Sequence, residues 1–407
     1  MNLLHHTLPN GIRLVHKTVP NMIAHAGVIV NTGSRDENDN QHGMAHFVEH
    51  MMFKGTAKRK TYHILSSLED RGGELNAYTT KEETAIYGSF LKHDYNKAFD
   101  IISDIIFNST FPEKEILREK EVIIEEINSY RDSPSELIFD DFEEMIYAGA
   151  PIGRNILGSE NSLRNFNREM ISDFVNNNYD PSEMVVCSVG DIREKQLVKL
   201  FEKYFSNIPV KQIHKNRIAF NEYKPLQKTV SKNTWQDHCL LGNLAYNVKD
   251  KRRIAMFLLN NLLGGQGLNS RLNLSLREKN GYAYNVESNY IPYYDSGVFM
   301  IYFGTDEKNR NRSISVVMKE MRKLREQQLG TAQLQKAKNQ MKGNIARAWE
   351  NHENLMLAMG KNILIFNKME SIEDLYEKID MLSSSNLLKI ANEIFAENML
   401  STLIYTK

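Results

Sequence analysis

His46, Glu49 and His50 stand in the order H-x-x-E-H within the apolar stretch GMAHFVEHMMF. Successive helical residues turn by about 100°, so the two imidazoles fall about 40° apart on one face and the Glu49 carboxylate lies on the edge of the same arc. Two imidazoles so placed can hold one zinc ion, and the carboxylate beside them can reach a water at that ion. The same spacing also occurs in surface helices whose histidines only form hydrogen bonds, so the pentapeptide alone leaves both readings open.

A catalytic zinc site needs a third protein ligand, and a carboxylate is a common one. Residues 112–130, PEKEILREKEVIIEEINSY, contain no glycine, open with proline at a position that a first turn tolerates, and stop before Asp132-Ser133-Pro134. This pattern predicts a second helix. Glu119 and Glu126 are seven residues apart in it, two turns along nearly one face. Glu113, Glu115, Glu121 and Glu125 share the segment, and spacing does not choose among them.

The elements that must position these groups come in two copies. In the first half a β-like run (24–31) leads through a polar loop to the His46 helix, then to a helix ending in Gly72-Gly73, then to an extended stretch reaching Gly88. In the second half an extended run (238–246) leads to the helical stretch KRRIAMFLLNNLLGG, then to a helix ending in Asn280-Gly281, then to another extended stretch. The offset is about 208 residues. Each half closes on a helix followed by an apolar strand, MVVCSV from Met184 and MLSTLIY from Met399. This order predicts an α+β fold of two homologous domains, each a mixed β-sheet with helices packed on one face. Domains at 1–206 and 226–407 would be joined by a polar, lysine-rich linker at 207–225. His46, Glu49 and His50 fall opposite Ala255, Leu258 and Leu259, so the second copy lacks the ligands.

Taken together, GMAHFVEHMMFKGT, GGELNAYTTKEETAIYG and REKEVIIEEI resemble the pitrilysin, insulin-degrading enzyme and mitochondrial processing peptidase family of zinc metallopeptidases, the inverzincins, in its short two-domain bacterial form. The likeness runs over nearly the whole chain. It implies His46, His50 and Glu126 as ligands of one zinc ion per chain, Glu126 standing 76 residues after His50 as the family pattern requires. It implies Glu49 as the base, with Glu119 as a supporting acid that orients a ligand histidine. Arg277 and Tyr284, seven residues apart in the half without ligands, match an arginine and tyrosine that reach across to the substrate. A permanently charged guanidinium and a phenol donor suit a carbonyl oxygen that becomes negative. Residues 74–80 match an edge strand on which substrate lies as an added strand, with Asn76, Ala77 and Tyr78 as the contacts. Lys81, Glu82 and Glu83 read as solvated loop residues.

Lys plus Arg equals Asp plus Glu at 51 each, so no global field draws in nucleic acid or an acidic membrane surface. Cys187 and Cys239 form no cluster, and Cys187 in its apolar run reads as a small buried thiol. No basic-then-apolar leader and no membrane-length apolar run is present, which points to a cytoplasmic protein. The expectation is a zinc endopeptidase or oligopeptidase that hydrolyses short or unfolded peptides inside a closed chamber formed by a homodimer. Two other outcomes of the resemblance are a processing peptidase acting with a separate partner chain and a non-catalytic structural subunit. The intact motifs stand against the second, and the short Gly264–Gly267 run does not match the long glycine-rich loop of a processing partner.

Overall fold

The computed structural model describes residues 3–407 apart from Gln212, His214, Asn216 and Asn221. The first sheet has six strands: β1 (Leu4–Thr7), β2 (Arg13–Thr18), β3 (Ile23–Val30), β4 (Glu74–Thr79), β5 (Thr84–Leu91) and β6 (Met184–Gly190). Their order is β1-β2-β6-β3-β5-β4, with β2 and β6 parallel and the other pairs antiparallel. The second sheet holds β7 (Gln227–Ser231), β8 (Asp237–Leu244), β9 (Ala283–Pro292), β10 (Gly297–Thr305) and β11 (Ser401–Thr406). It runs β7-β11-β8-β10-β9, with β7 and β11 parallel. Strand for strand it repeats β2-β6-β3-β5-β4, so the duplication in the sequence is a duplication of topology. The expected α+β class with two mixed sheets holds.

The chain forms two compact units, and each borrows from the other half of the sequence. One comprises Met1–Asn128, Arg154–Arg217 and Arg347–Glu370; the other comprises Ser129–Gly153, Ile218–Ala346 and Ser371–Lys407. In the first unit, α1 (Met44–Met52), α2 (Thr61–Glu69), α3 (Tyr95–Phe107) and α4 (Glu113–Arg131) contribute to one apolar core with the sheet. The opposite face of that sheet is covered by helix His352–Phe366, which packs on β2, β3 and β6. Gly360 allows this approach, because a Cβ there would lie 2.6 Å from Ile29 Cδ1 and 3.0 Å from Cys187 Sγ. In the second unit α5 (Pro134–Ile146) does the same for β8 and β11. Strands covered on both faces cannot alternate apolar and polar residues, which is why MVVCSVG in β6 is buried at every position. The halves 1–206 and 226–407 remain our proposed limits of the duplication, and in space each is completed by a helix of the other.

Part of the predicted linker is held in place. Arg217 donates to both oxygens of Asp36 at 2.8 and 2.7 Å, and the Lys215 ammonium donates to the Thr32 hydroxyl at 2.8 Å, all within the first unit. The reading of Lys81, Glu82 and Glu83 as solvated is overturned. Lys81 is only 5% exposed and Glu83 8%, while the Glu82 side chain is largely buried. Long-range partners explain it: Arg35 pairs with Glu82, Lys361 with Glu83, and the Lys81 ammonium donates to the Arg154 carbonyl. Both cysteines are buried and free, and burial pushes each thiol up to about 12.

His16 in β2 is 1% exposed, and burial lowers its pKa to about 4, partly offset by a hydrogen bond to the Ser188 backbone. The folded protein therefore keeps His16 neutral where the unfolded chain, titrating near 6.5, takes up a proton. More protons bound in the unfolded state mean that stability is lost as pH falls from about 6.5 towards 4, by up to ~3 kcal/mol for this group. Burial lowers His25 and His238 with the same sign. The urea midpoint of the metal-free protein should fall between pH 7 and 5, and His16→Gln should reduce that slope. A midpoint equally pH-dependent in the variant would rule out His16 as a source.

Candidate metal centre

The motif lies on α1, a nine-residue helix that begins after Gly43. Gly43 has φ 94°, a left-handed conformation that glycine adopts without a Cβ clash, and it offers no side chain to cap the helix. The cap comes from Glu37. Its two carboxylate oxygens accept from the N–H of Gly43 at 2.9 Å and of Ala45 at 2.8 Å, satisfying donors that open the helix. Burial pushes this carboxyl up to about 8, with the two N–H groups and Arg154 pulling it back. Glu37 thus fixes the backbone next to His46, and the sequence reading had not singled it out.

On α4, Ile116, Glu119, Ile123 and Ile127 follow helical spacing along the buried face. The four buried isoleucines of this helix, Ile116, Ile123, Ile124 and Ile127, stabilise its docking by roughly 1.5–3 kcal/mol each. A carboxylate in such a row must find partners. Glu119 Oε2 accepts from His50 Nδ1 at 3.2 Å, and Oε1 accepts from the Lys54 ammonium at 2.7 Å. Burial works against its charge, but these two partners hold the carboxyl below its usual range. With Nδ1 donating to Glu119, His50 presents the lone pair of Nε2.

That Nε2 lies 3.8 Å from Glu126 Oε2, and His46 Nε2 lies 3.8 Å from the same oxygen. The two imidazoles are 4.6 Å apart between ring centroids. One donor atom from each of His46, His50 and Glu126 falls within 4.8 Å of the others, which among the described residues is the one such His, Cys, Asp and Glu group. Zinc bonds of ~2.0–2.1 Å at a tetrahedral angle would separate their donor atoms by roughly 3.3–3.4 Å, so this set needs only small shifts to hold the ion. Burial and the neighbouring His50 lower His46 to about 3, which leaves it neutral and free to ligate at ordinary pH.

Glu49 is not one of these three. Its Oε2 is buried with no hydrogen-bond partner among the described residues. Burial pushes the Glu49 carboxyl above its ordinary range, while the Thr79 hydroxyl and His50 pull it down and Glu126 adds to the rise. Thr79 is the last residue of β4, and β4 is an edge of the first sheet, paired among the described residues with β5 alone. Of the three residues expected on this strand, Asn76 is exposed and Ala77 packs partly on the core. Tyr78 is tied back: its hydroxyl donates to Glu83 at 3.0 Å, and Lys361 lies over its ring at 5.4 Å.

Arg277 and Tyr284 belong to the second unit. The Arg277 guanidinium stands over the Tyr284 ring, 5.3 Å from its centroid, and Tyr284 is 86% exposed. Arg277 lies in a short π-helical turn, Asn273–Glu278, a rare backbone form. Opposite the motif in the duplication, Ala255, Leu258 and Leu259 of helix Arg253–Gly264 are buried in apolar core. The second unit therefore keeps the helix and fills it with side chains that pack instead of ligating.

Residues 13–160 match the model of insulinase (peptidase family M16), and residues 165–341 match that of the peptidase M16 inactive domain. An uncharacterized zinc protease of Bacillus subtilis, YmxG, is 32% identical over 98% of this chain and 97% of its own length. The mitochondrial-processing peptidase subunit beta of Saccharomyces cerevisiae is 28% identical over 95% of this chain and 87% of its own. The crystal structure of a protease from Helicobacter pylori superposes with a TM-score of 0.88 at 22% identity, covering 100% of both chains, and so shares the fold. By these matches over nearly its whole length, the chain belongs to the insulinase-like M16 family of peptidases.

Proposed function

We propose that this chain is a zinc-dependent endopeptidase or oligopeptidase that cleaves short or unfolded peptides, working in the cytoplasm as a homodimer. The observation that carries the reading is the convergence of His46 Nε2, His50 Nε2 and Glu126 Oε2, with a Glu49 oxygen on the same helix that has no hydrogen-bond partner among the described residues. His46, His50 and Glu126 would hold one zinc per chain. When bound, zinc supplies a positive centre that polarises a carbonyl and makes water acidic near neutral pH.

The chain's own groups do the rest. Glu49 takes the proton of the attacking water and delivers it to the leaving amine, a role that suits a carboxyl held above its ordinary range. Glu119 orients His50 through Nδ1. The edge strand β4 offers main-chain N–H and C=O groups to a substrate strand, a grip that any sequence can use. Because Tyr78 is tied to Glu83, the contribution of Asn76, Ala77 and Tyr78 is mainly through the backbone. Arg277 and Tyr284 hold the substrate and the developing oxyanion of a partner subunit's site. The relative named as a processing peptidase subunit favours a second reading, in which the partner is a different chain. Activity of the chain purified alone decides between them.

Metal analysis and peptide hydrolysis test the proposal together. About one zinc per chain and loss of hydrolysis with a chelator are expected. Glu126→Gln removes a ligand charge and should abolish tight zinc binding, whereas Glu119→Gln should reduce affinity or activity about 10–100-fold. Equal and negligible effects of the two substitutions on metal content would place the third ligand elsewhere.

A further inference from the structure

Lys54 has no place in the proposed reaction, yet it is bonded to the group that orients a ligand. It follows the end of α1, four residues after His50, and its ammonium lies 2.7 Å from Glu119 Oε1 while His50 holds Oε2 at 3.2 Å. The lysine is the more exposed partner, with 24% of its side chain accessible against 5% for Glu119. The three residues therefore form a line from solvent to ligand: ammonium, carboxylate, imidazole.

A buried carboxylate in a row of isoleucines needs a compensating cation. His50 meets one oxygen of Glu119 through Nδ1, and the Lys54 ammonium meets the other. A divalent ion on the far side of the imidazole would supply compensation of its own. Lys54 and the metal thus serve the same negative charge from opposite ends. A carboxylate already neutralised gains less when the metal arrives, and polarises His50 less through its hydrogen bond.

Resting on the metal reading proposed above, we propose that Lys54 is a positioning residue that compensates the charge of Glu119 and thereby weakens the protein's hold on zinc. The sign separates this from a purely structural role. If Lys54 only braced Glu119, its loss would let the carboxylate drift and zinc would bind more weakly. As a competing charge, its loss destabilises the empty protein more than the loaded one, so zinc binds more tightly.

The test is zinc affinity at constant pH, by competition with a chromophoric chelator, and the thermal midpoint with and without zinc. Lys54→Met should lower the midpoint of the metal-free protein, enlarge its rise with zinc, and tighten zinc binding about 3–10-fold. Lys54→Arg, which keeps the charge, should stay within about twofold of the wild type, and Lys54→Gln serves in place of Lys54→Met if that protein does not fold. In a Glu119→Gln background the tightening should vanish, because no charge is left to compete for. Weaker or unchanged zinc binding on loss of the charge, or equal tightening without Glu119, overturns the inference. Absence of zinc binding by the wild type would instead overturn the metal reading on which it rests.

Discussion

Glu49→Gln should retain about one zinc per chain and lose about 10²–10⁴-fold in peptide hydrolysis, the range that removal of a general base commonly produces. His50→Ala should lose both the metal and the activity. The contrast follows from where the two side chains point. His50 Nε2 faces the Glu126 oxygen that His46 also faces, whereas Glu49 lies outside that group and ends on a buried oxygen with no partner among the described residues. Gln has nearly the shape of Glu but cannot carry the proton, so the fold and the ligands stay while proton transfer goes. Metal content by elemental analysis beside single-turnover hydrolysis would measure both. A metal-free Glu49→Gln protein would show that the roles within the motif are wrongly divided.

How much of this was legible in the sequence depends on the range of the interaction. The 3.6-residue period carried α1, and the glycine-free run carried α4, because both are local patterns. The second strand set was readable as a copy of the first. The choice of Glu126 among the acids of α4 was not local; it needed the family spacing, and the stripe Ile116-Glu119-Ile123-Ile127 was a signal for Glu119 that only its burial made plain. Lys81, Glu82 and Glu83 misled because charged residues beside a turn usually face water. Here Arg35 and Lys361, far away in the chain, bury them. The exchange of α5 and helix His352–Phe366 between halves left a trace in the uninterrupted apolar strands, which demanded cover on both faces without saying which helix gives it. Lys54 was within reach, since it stands four positions after His50 just past the end of α1, but its importance lies in Glu119, which comes from another helix.

Mixing two inactive proteins should restore activity if the homodimer is arranged as proposed. One chain carries Glu49→Gln, which removes the base and leaves Arg277 and Tyr284 intact. The other carries Arg277→Ala with Tyr284→Phe, which leaves His46, Glu49, His50 and Glu126 intact. Each homodimer then lacks one essential part at both of its sites and should be nearly inactive. After subunit exchange, a mixed dimer has one site spoiled twice and one site in which an intact metal unit faces an intact Arg–Tyr unit. Random pairing makes about half of the dimers mixed, each with one good site of two, so recovery should approach roughly one quarter of the wild-type rate if the sites act independently. The exposure of Tyr284 and its stacking beneath Arg277 mean that substituting both removes surface groups, so loss of folding is not the expected cause of inactivity. No recovery, with exchange demonstrated by differently tagged chains, would mean that Arg277 and Tyr284 serve their own chain's site or that the pair only packs on itself, and the proposed trans arrangement would fall.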